Sequence, residues 1–491
     1  MGNEATVSSI AEAQPDPRRW KALAVLCAAT FIIILDGSIV FVALPSMAQD
    51  LALTPTAVQW VLSAYLLSFG GLLLLGGRVA DLVGRRRVFM AGTALLGVSS
   101  LLCGLAWSAD VLVGARVLQG LSGAIMAPTA LSILMNTFPQ AKERNKALGF
   151  WSSAGGVGGT VGSLLGGPIT QGLGWSWIFF INVPVAVLVV ALSPVLLRES
   201  YDRNRARTLD VAGALTSTVA LVLLVWAITD APEVGWLGAR TVWLLVSVVV
   251  LVAVFVLIEW RSSAPLMPLH YLRSKGFVGG NLVLVVVGMA VSGGMGFILT
   301  QYAQVVLGYS AVQFGLIFSV MTVLTIVGSM LAGGRLGLRF GPRPVAIVAL
   351  LLIAASCLTF TRIDANGSFV SDILLGVLLF GPGLGAGFVA GNIAALAGVP
   401  ERDSGLASGV SNATFHIGGA LGIAVLATVA ASEAAGPDPL TAMTTGFQYA
   451  YGVAITFAAA GILAALFLLG RPAKPAVTPV PLTEETDRRA A

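Results

Sequence analysis

Fourteen apolar runs, each of about 18 to 27 residues and so long enough to cross a ~30 Å hydrocarbon core as a helix, occupy most of this chain. They lie at 21–44, 56–76, 88–107, 111–136, 147–170, 177–197, 211–229, 241–259, 277–300, 311–333, 344–361, 370–397, 405–431 and 447–470. A chain of 491 residues that is 57% hydrophobic and 10% charged, with a mean hydropathy of +0.91, is not a water-soluble globule. The expected fold class is an all-α polytopic membrane protein.

An even number of spans puts both ends on one side, and the basic residues say which. The loops and tails assigned to the cytoplasm hold 25 of the 28 Lys and Arg, Arg240 and Arg362 lie outside, and Arg116 falls inside the fourth span. This bias places both termini in the cytoplasm. Residues 1–19 and 471–491 are expected to be disordered tails, the first too acidic for a signal peptide, with Glu4, Glu12 and Asp16, the second rich in proline and charge. The pI of about 9.3 does not indicate nucleic acid, because the basic residues are dispersed over short loops. Cys27, Cys103 and Cys357 stand far apart in apolar runs and suggest neither a disulfide framework nor a metal cluster; no cofactor is expected. Arginine outnumbers lysine 23 to 5, a bias that hints at a GC-rich bacterial gene.

The chain also repeats itself. GGRVADLVGRRRV at 76–88 and GGRLGLRFGPRPV at 333–345 share six residues at an offset of 257, and ERNKAL at 143–148 is echoed by ERDSGL at 401–406. The repeat pairs spans 1 to 6 with spans 9 to 14. Symmetry of this kind is a transporter signature, with the substrate site expected near the midplane between the halves. It divides the chain into a first six-helix bundle over 20–197, a linker with two extra spans over 198–276, and a second six-helix bundle over 277–470.

Asp36 is the carboxylate lying well inside a span, where a charge costs roughly 2.5 to 3.5 kcal/mol on insertion scales. It lies about 13 Å from the outer boundary at Pro45, and Arg116 about 9 Å from Asp110, at 1.5 Å per residue. The two can therefore meet. A neighbouring guanidinium favours the ionised carboxylate and desolvation opposes it, a balance that suits a proton carrier; a permanent salt bridge locking two helices is the alternative. Gln119 is one turn from Arg116 and could orient it or meet substrate. Asp81 sits among Arg78, Arg85, Arg86 and Arg87, where it could bridge to helix termini of the other half or simply share a topogenic loop. Gly158, Gly162 and Gly166, at spacing four, allow close helix packing. His416, about eleven residues into its span, is a candidate second protonatable site or a hydrogen-bonded helix contact. His270, in a cytoplasmic loop, carries no special reading, and Gln301 and Gln304 end a span near the outer face.

Four motifs in order resemble those of the major facilitator superfamily, and within it the fourteen-helix drug:proton antiporters. GRVADLVGRRR matches the superfamily loop motif through Gly77, Asp81, Gly84, Arg85 and Arg86; LDGSIVFVALPSM resembles the first-helix motif, RVLQGLSGA the fourth-helix motif, and the glycines of span 5 with WSWIFFINVP the fifth-helix antiporter motif. Departures are Phe41 where the group has Asn, Ser163 where it has Pro, Ser176 where Arg is common, and Leu338 opposite Asp81 in the repeat. The resemblance implies two six-helix bundles plus a two-helix insert, a loop at Gly77 to Arg86 that latches the cytoplasmic side, proton coupling through Asp36 and Arg116, and an inner-membrane exporter of lipophilic drugs or antibiotics. Phe41, Gln119 and His416 are the candidate cavity residues. Expected partners are a small lipophilic molecule, protons and the bilayer, for a chain acting as a monomer. A dedicated exporter of one endogenous metabolite, such as a self-made antibiotic, is the alternative. An integral-membrane enzyme is disfavoured by the lack of paired carboxylates or a His/Cys/Asp cluster within the spans, and a channel by the lack of a filter sequence. Spans 10 and 13 contain no carboxylate, so neutral or monovalent substrates are expected.

Overall fold

The structure, a computed structural model, describes residues 17–201, 210–262, 265–400 and 403–470. The tail expected over 471–491, and that over 1–19 except for its last three residues, lie outside them. Among the described residues fourteen long helices follow one another: α1 Arg19–Asp50, α2 Pro55–Val83, α3 Arg85–Gly104, α4 Ala109–Thr137, α5 Ala141–Gly172, α6 Trp177–Leu196, α7 Val211–Val234, α8 Ala239–Arg261, α9 Lys275–Val306, α10 Ala311–Gly333, α11 Pro342–Phe360, α12 Phe369–Leu396, α13 Ser404–Ser432 and α14 Pro439–Leu468. Thirteen contain a window apolar enough to cross a membrane. The other, α5, is 32 residues long, and its glycines and first polar turns dilute its hydropathy.

Several helices overrun the apolar runs that announce them, because polar residues at their ends are spent on capping. Thr54, Asp210 and Asp438 each accept hydrogen bonds from the first-turn backbone of the helix that follows, and Ser310 forms a capping box with Gln313. Pro55, Pro342 and Pro439 occupy first-turn positions where no amide donor is missed. α9 widens into π-helical turns over Ala290–Ile298 and Tyr302–Val306, which redirect the side chains beyond them.

In the first half α1 packs on α5 and α2 on α4, with α3 and α6 alongside; in the second, α12 packs on α9, α10 and α11, with α13 against α9 and α14 against α11. Two seams join the halves, α2 with α13 and α5 with α10. The insert is not equally remote along its length. α7 lies against both α2 and α13, and Thr428 donates to the Ile228 carbonyl at 3.1 Å, so α7 covers one seam. The most apolar window of α8 is 6% buried, the least of the thirteen apolar helices, so it stands outermost among them.

The two ends of the bundle differ. At the end opposite the Arg78 and Arg85 to Arg87 loop, one apolar core runs through both halves. There Gln304 donates to the Val42 carbonyl at 3.0 Å, Phe41 stacks on Phe318 at 6.0 Å and covers Gly296, and Gly167 meets the Val312 backbone. At the basic end the halves enclose a cavity.

Candidate functional site

Asp36 and Arg116 meet with almost no exposure to solvent at either side chain, Arg116 donating from Nη1 to Asp36 Oδ2 at 3.0 Å. The carboxylate's other oxygen accepts from Gln119 Nε2 at 3.1 Å and from Asn182 Nδ2 at 2.8 Å. Arg116 has further acceptors of its own, Gln119 Oε1 at 2.7 Å and the Val61 carbonyl at 3.0 Å, and its guanidinium lies 4.2 Å over the Tyr65 ring. Ser100 accepts from Gln119 at 2.8 Å and from Asn182 at 3.3 Å, and Cys103 donates to Gln119 at 3.3 Å. Five helices of the first half thus contribute to one network around a single buried charge pair. Charges so placed persist only when hydrogen-bonded on all sides.

The arginine-rich loop has partners within its own half. Asp81 accepts from Arg85 Nε and Nη2 at 3.0 and 2.8 Å. Gly84 has φ +119, and a side chain there would strike Glu199, so glycine serves this turn. Glu199, just beyond α6, accepts from the Arg86 backbone at 3.0 Å and stands 3.7 Å from both the Arg86 and the Arg87 guanidinium. In the second half Arg343 reaches the Leu466 carbonyl at 2.7 Å, and Leu338 is exposed.

The cavity, of about 380 Å³, runs from Phe69 and His416 to Arg78, Asp81 and Arg85, between α1, α2, α4 and α5 on one side and α13 on the other. His416 and Gly77 line it. Phe41 belongs instead to the closed end, and Gln119 is wholly buried in the ion-pair network. Gly158, Gly162 and Gly166 bring α5 onto α1, touching Phe31, Leu35 with Ser38, and Ile39 with Val42 in turn. Asn182, Ser100 and Glu199 went unnoticed in the sequence. Asn182 falls within the WSWIFFINVP stretch, and a carboxamide there, opposite a buried carboxylate, was the available signal. Among the described residues no group of three or more His, Cys, Asp or Glu could hold a metal ion.

Two repeated helical halves joined at one end around a cavity at the other define a polytopic membrane protein of the transporter kind. The chain belongs to the Major Facilitator Superfamily, whose profile matches it over residues 26–304 and 282–490. It is 39% identical over 471 residues to the puromycin resistance protein pur8 of Streptomyces alboniger, covering 93% of this chain and 92% of that one. It is 34% identical over 420 residues to the multidrug resistance protein Stp of Mycobacterium tuberculosis, covering 84% and 77%. Among solved structures, a bacterial homologue of the human lysosomal transporter Spinster has the same fold, with a TM-score of 0.63 at 18% identity over 93% of this chain and 100% of that one.

Proposed function

We propose that this chain is a proton-coupled antiporter that exports lipophilic drugs or antibiotics by alternating access. The observation that carries the reading is the Asp36 network: a carboxylate sealed in the first half, paired with an arginine that has two other strong acceptors. Arg116 therefore stays hydrogen-bonded when Asp36 takes up a proton, and the pair can open without abandoning a buried guanidinium. In this reading Asp36 and Arg116 couple the proton, the Gly77 to Arg86 loop gates the basic end, and the Gly158, Gly162 and Gly166 face lets α5 shift against α1. His416 meets substrate. The relatives named for puromycin and multidrug resistance support export. The chain acts as a carrier rather than an enzyme, as a monomer in a bacterial cell membrane, with both termini and the basic end in the cytoplasm.

The test is accumulation of a panel of antibiotics in an efflux-deficient host, with and without an uncoupler. Wild-type chain should lower accumulation until the uncoupler is added, and Asp36→Asn should abolish that effect at equal membrane abundance. Uncoupler-insensitive export would overturn the coupling. A second reading, a dedicated exporter of one compound, is supported by the single antibiotic in the name of the pur8 relative. Resistance confined to one member of the panel would select it.

A further inference from the structure

We propose that α13 reads the carried molecule along one edge, through a strip formed by Ser408, Asn412 and His416, and that the ligand is an uncharged, flat amphipathic molecule. The inference rests on the export reading for the purpose of the cavity, but not for its chemistry. The three residues stand at spacing four on α13 and all line the cavity, so one helix face presents them in a row. The facing wall from the first half is mainly apolar, at Ile33, Ile34, Pro128 and Leu131, with Thr30, Ser132 and Trp151 as its polar members. The row on α13 is thus the continuous hydrogen-bonding edge of a cavity whose other side is mostly greasy.

The strip has capacity to spare. Asn412 spends Nδ2 on the Ser408 carbonyl at 3.0 Å, which leaves its Oδ1 as an acceptor. His416 stacks on Phe69 with centroids 4.2 Å apart and planes 22° from parallel. This packing buries Nδ1 without a partner, and Nε2 is the nitrogen left to serve a ligand. The Phe69 and His416 rings form a flat aromatic patch that favours an offset-stacked planar ligand. Charge is absent where the ligand would lie. The charged lining residues, Arg78, Asp81 and Arg85, gather at the basic end, where Arg85 holds Asp81, so an ion carried deeper, beside Phe69 and His416, would be desolvated without a counter-charge.

The experiment uses the full chain in lipid nanodiscs and two probes, 2-(hydroxymethyl)anthraquinone, whose one hydroxyl stands on an edge and cannot reach its own carbonyls, and anthraquinone, which lacks the hydroxyl. Binding is read from quenching of tryptophan fluorescence. Wild type should prefer the hydroxymethyl probe about tenfold, the scale of one well-made hydrogen bond to a buried site. His416→Phe keeps an aromatic ring beside Phe69 and removes the hydrogen bond, and Asn412→Leu removes the neighbouring acceptor. Each should bring the preference toward unity while anthraquinone binds as before. Ser408→Ala, too small a change to disturb folding, should lower the preference in the same direction. Equal affinity of wild type for both probes, or variants that weaken both in proportion, would overturn the strip. A preserved preference in a chain that exports nothing would keep the strip and overturn the export reading alone.

Discussion

Arg116 donates to Gln119 at 2.7 Å and to Val61 at 3.0 Å as well as to Asp36 at 3.0 Å, and this surplus of acceptors makes the pair asymmetric toward mutation. Asp36→Asn leaves the guanidinium with two acceptors and a ring face, so membrane abundance and thermal melting should stay close to wild type while proton-driven export fails. Arg116→Leu leaves a buried carboxylate with two carboxamide donors and no counter-charge, which costs about 3–5 kcal/mol; folded protein in the membrane should fall sharply. Adding Asp36→Asn to Arg116→Leu should recover part of the loss, because the stranded charge is gone. Equal loss of melting temperature in both single variants would show that the pair acts as a simple lock. Asp36 and Arg116 were legible because an ion inside an apolar run stands out. Asn182 and Ser100 were not, since uncharged polar residues are common in transmembrane helices and their alignment on Asp36 depends on how α3 and α6 rotate.

At the scale of a helix, α5 shows how far a small residue can matter. A Cβ at Gly162 would meet Ser38 Oγ and come within 2.9 Å of the Leu35 carbonyl, whereas one at Gly155 would stand 3.7 Å from both Ile34 and Thr30. Gly162→Leu should therefore push α5 off α1, with an overpacking cost of about 1–3 kcal/mol or more, and Gly155→Ala should be neutral; thermal melting in detergent distinguishes them. The loop after α2 makes a second case. Glu199→Ala removes the acceptor shared by the Arg86 backbone and the guanidinium groups of Arg86 and Arg87, so the loop should become more susceptible to trypsin at Arg86 and Arg87 while the helices still insert. Unchanged cleavage would show that the loop is held by its other contacts. Helix existence could be read from hydropathy, because each span must be apolar over a bilayer's thickness. Helix ends could not, because capping residues are polar and look like loop.

For the molecule as a whole, the sequence repeat pointed to a site near the midplane between the halves; the cavity lies between the halves and opens toward the basic end. The place of α7 over the α2 and α13 seam was illegible, since an insert has no repeat partner to position it. The closed end offers a direct check on alternating access. Phe41→Cys with Phe318→Cys, replacing two rings from opposite halves that now stack at 6.0 Å, and bridged by a bis-methanethiosulfonate, should hold that end shut and stop export until a reductant is added; export that continues at full crosslinking would mean this end need not open. Finally, Ile33 and Ile34 line the cavity while Asp36, a turn or less along the same α1, does not. On the reading in which Asp36 carries the proton and the cavity the cargo, the two in this conformation never share a seat, so neither can evict the other by contact. The bargain between them would then be struck mechanically, with α1 as the common wall that each leans on from its own side.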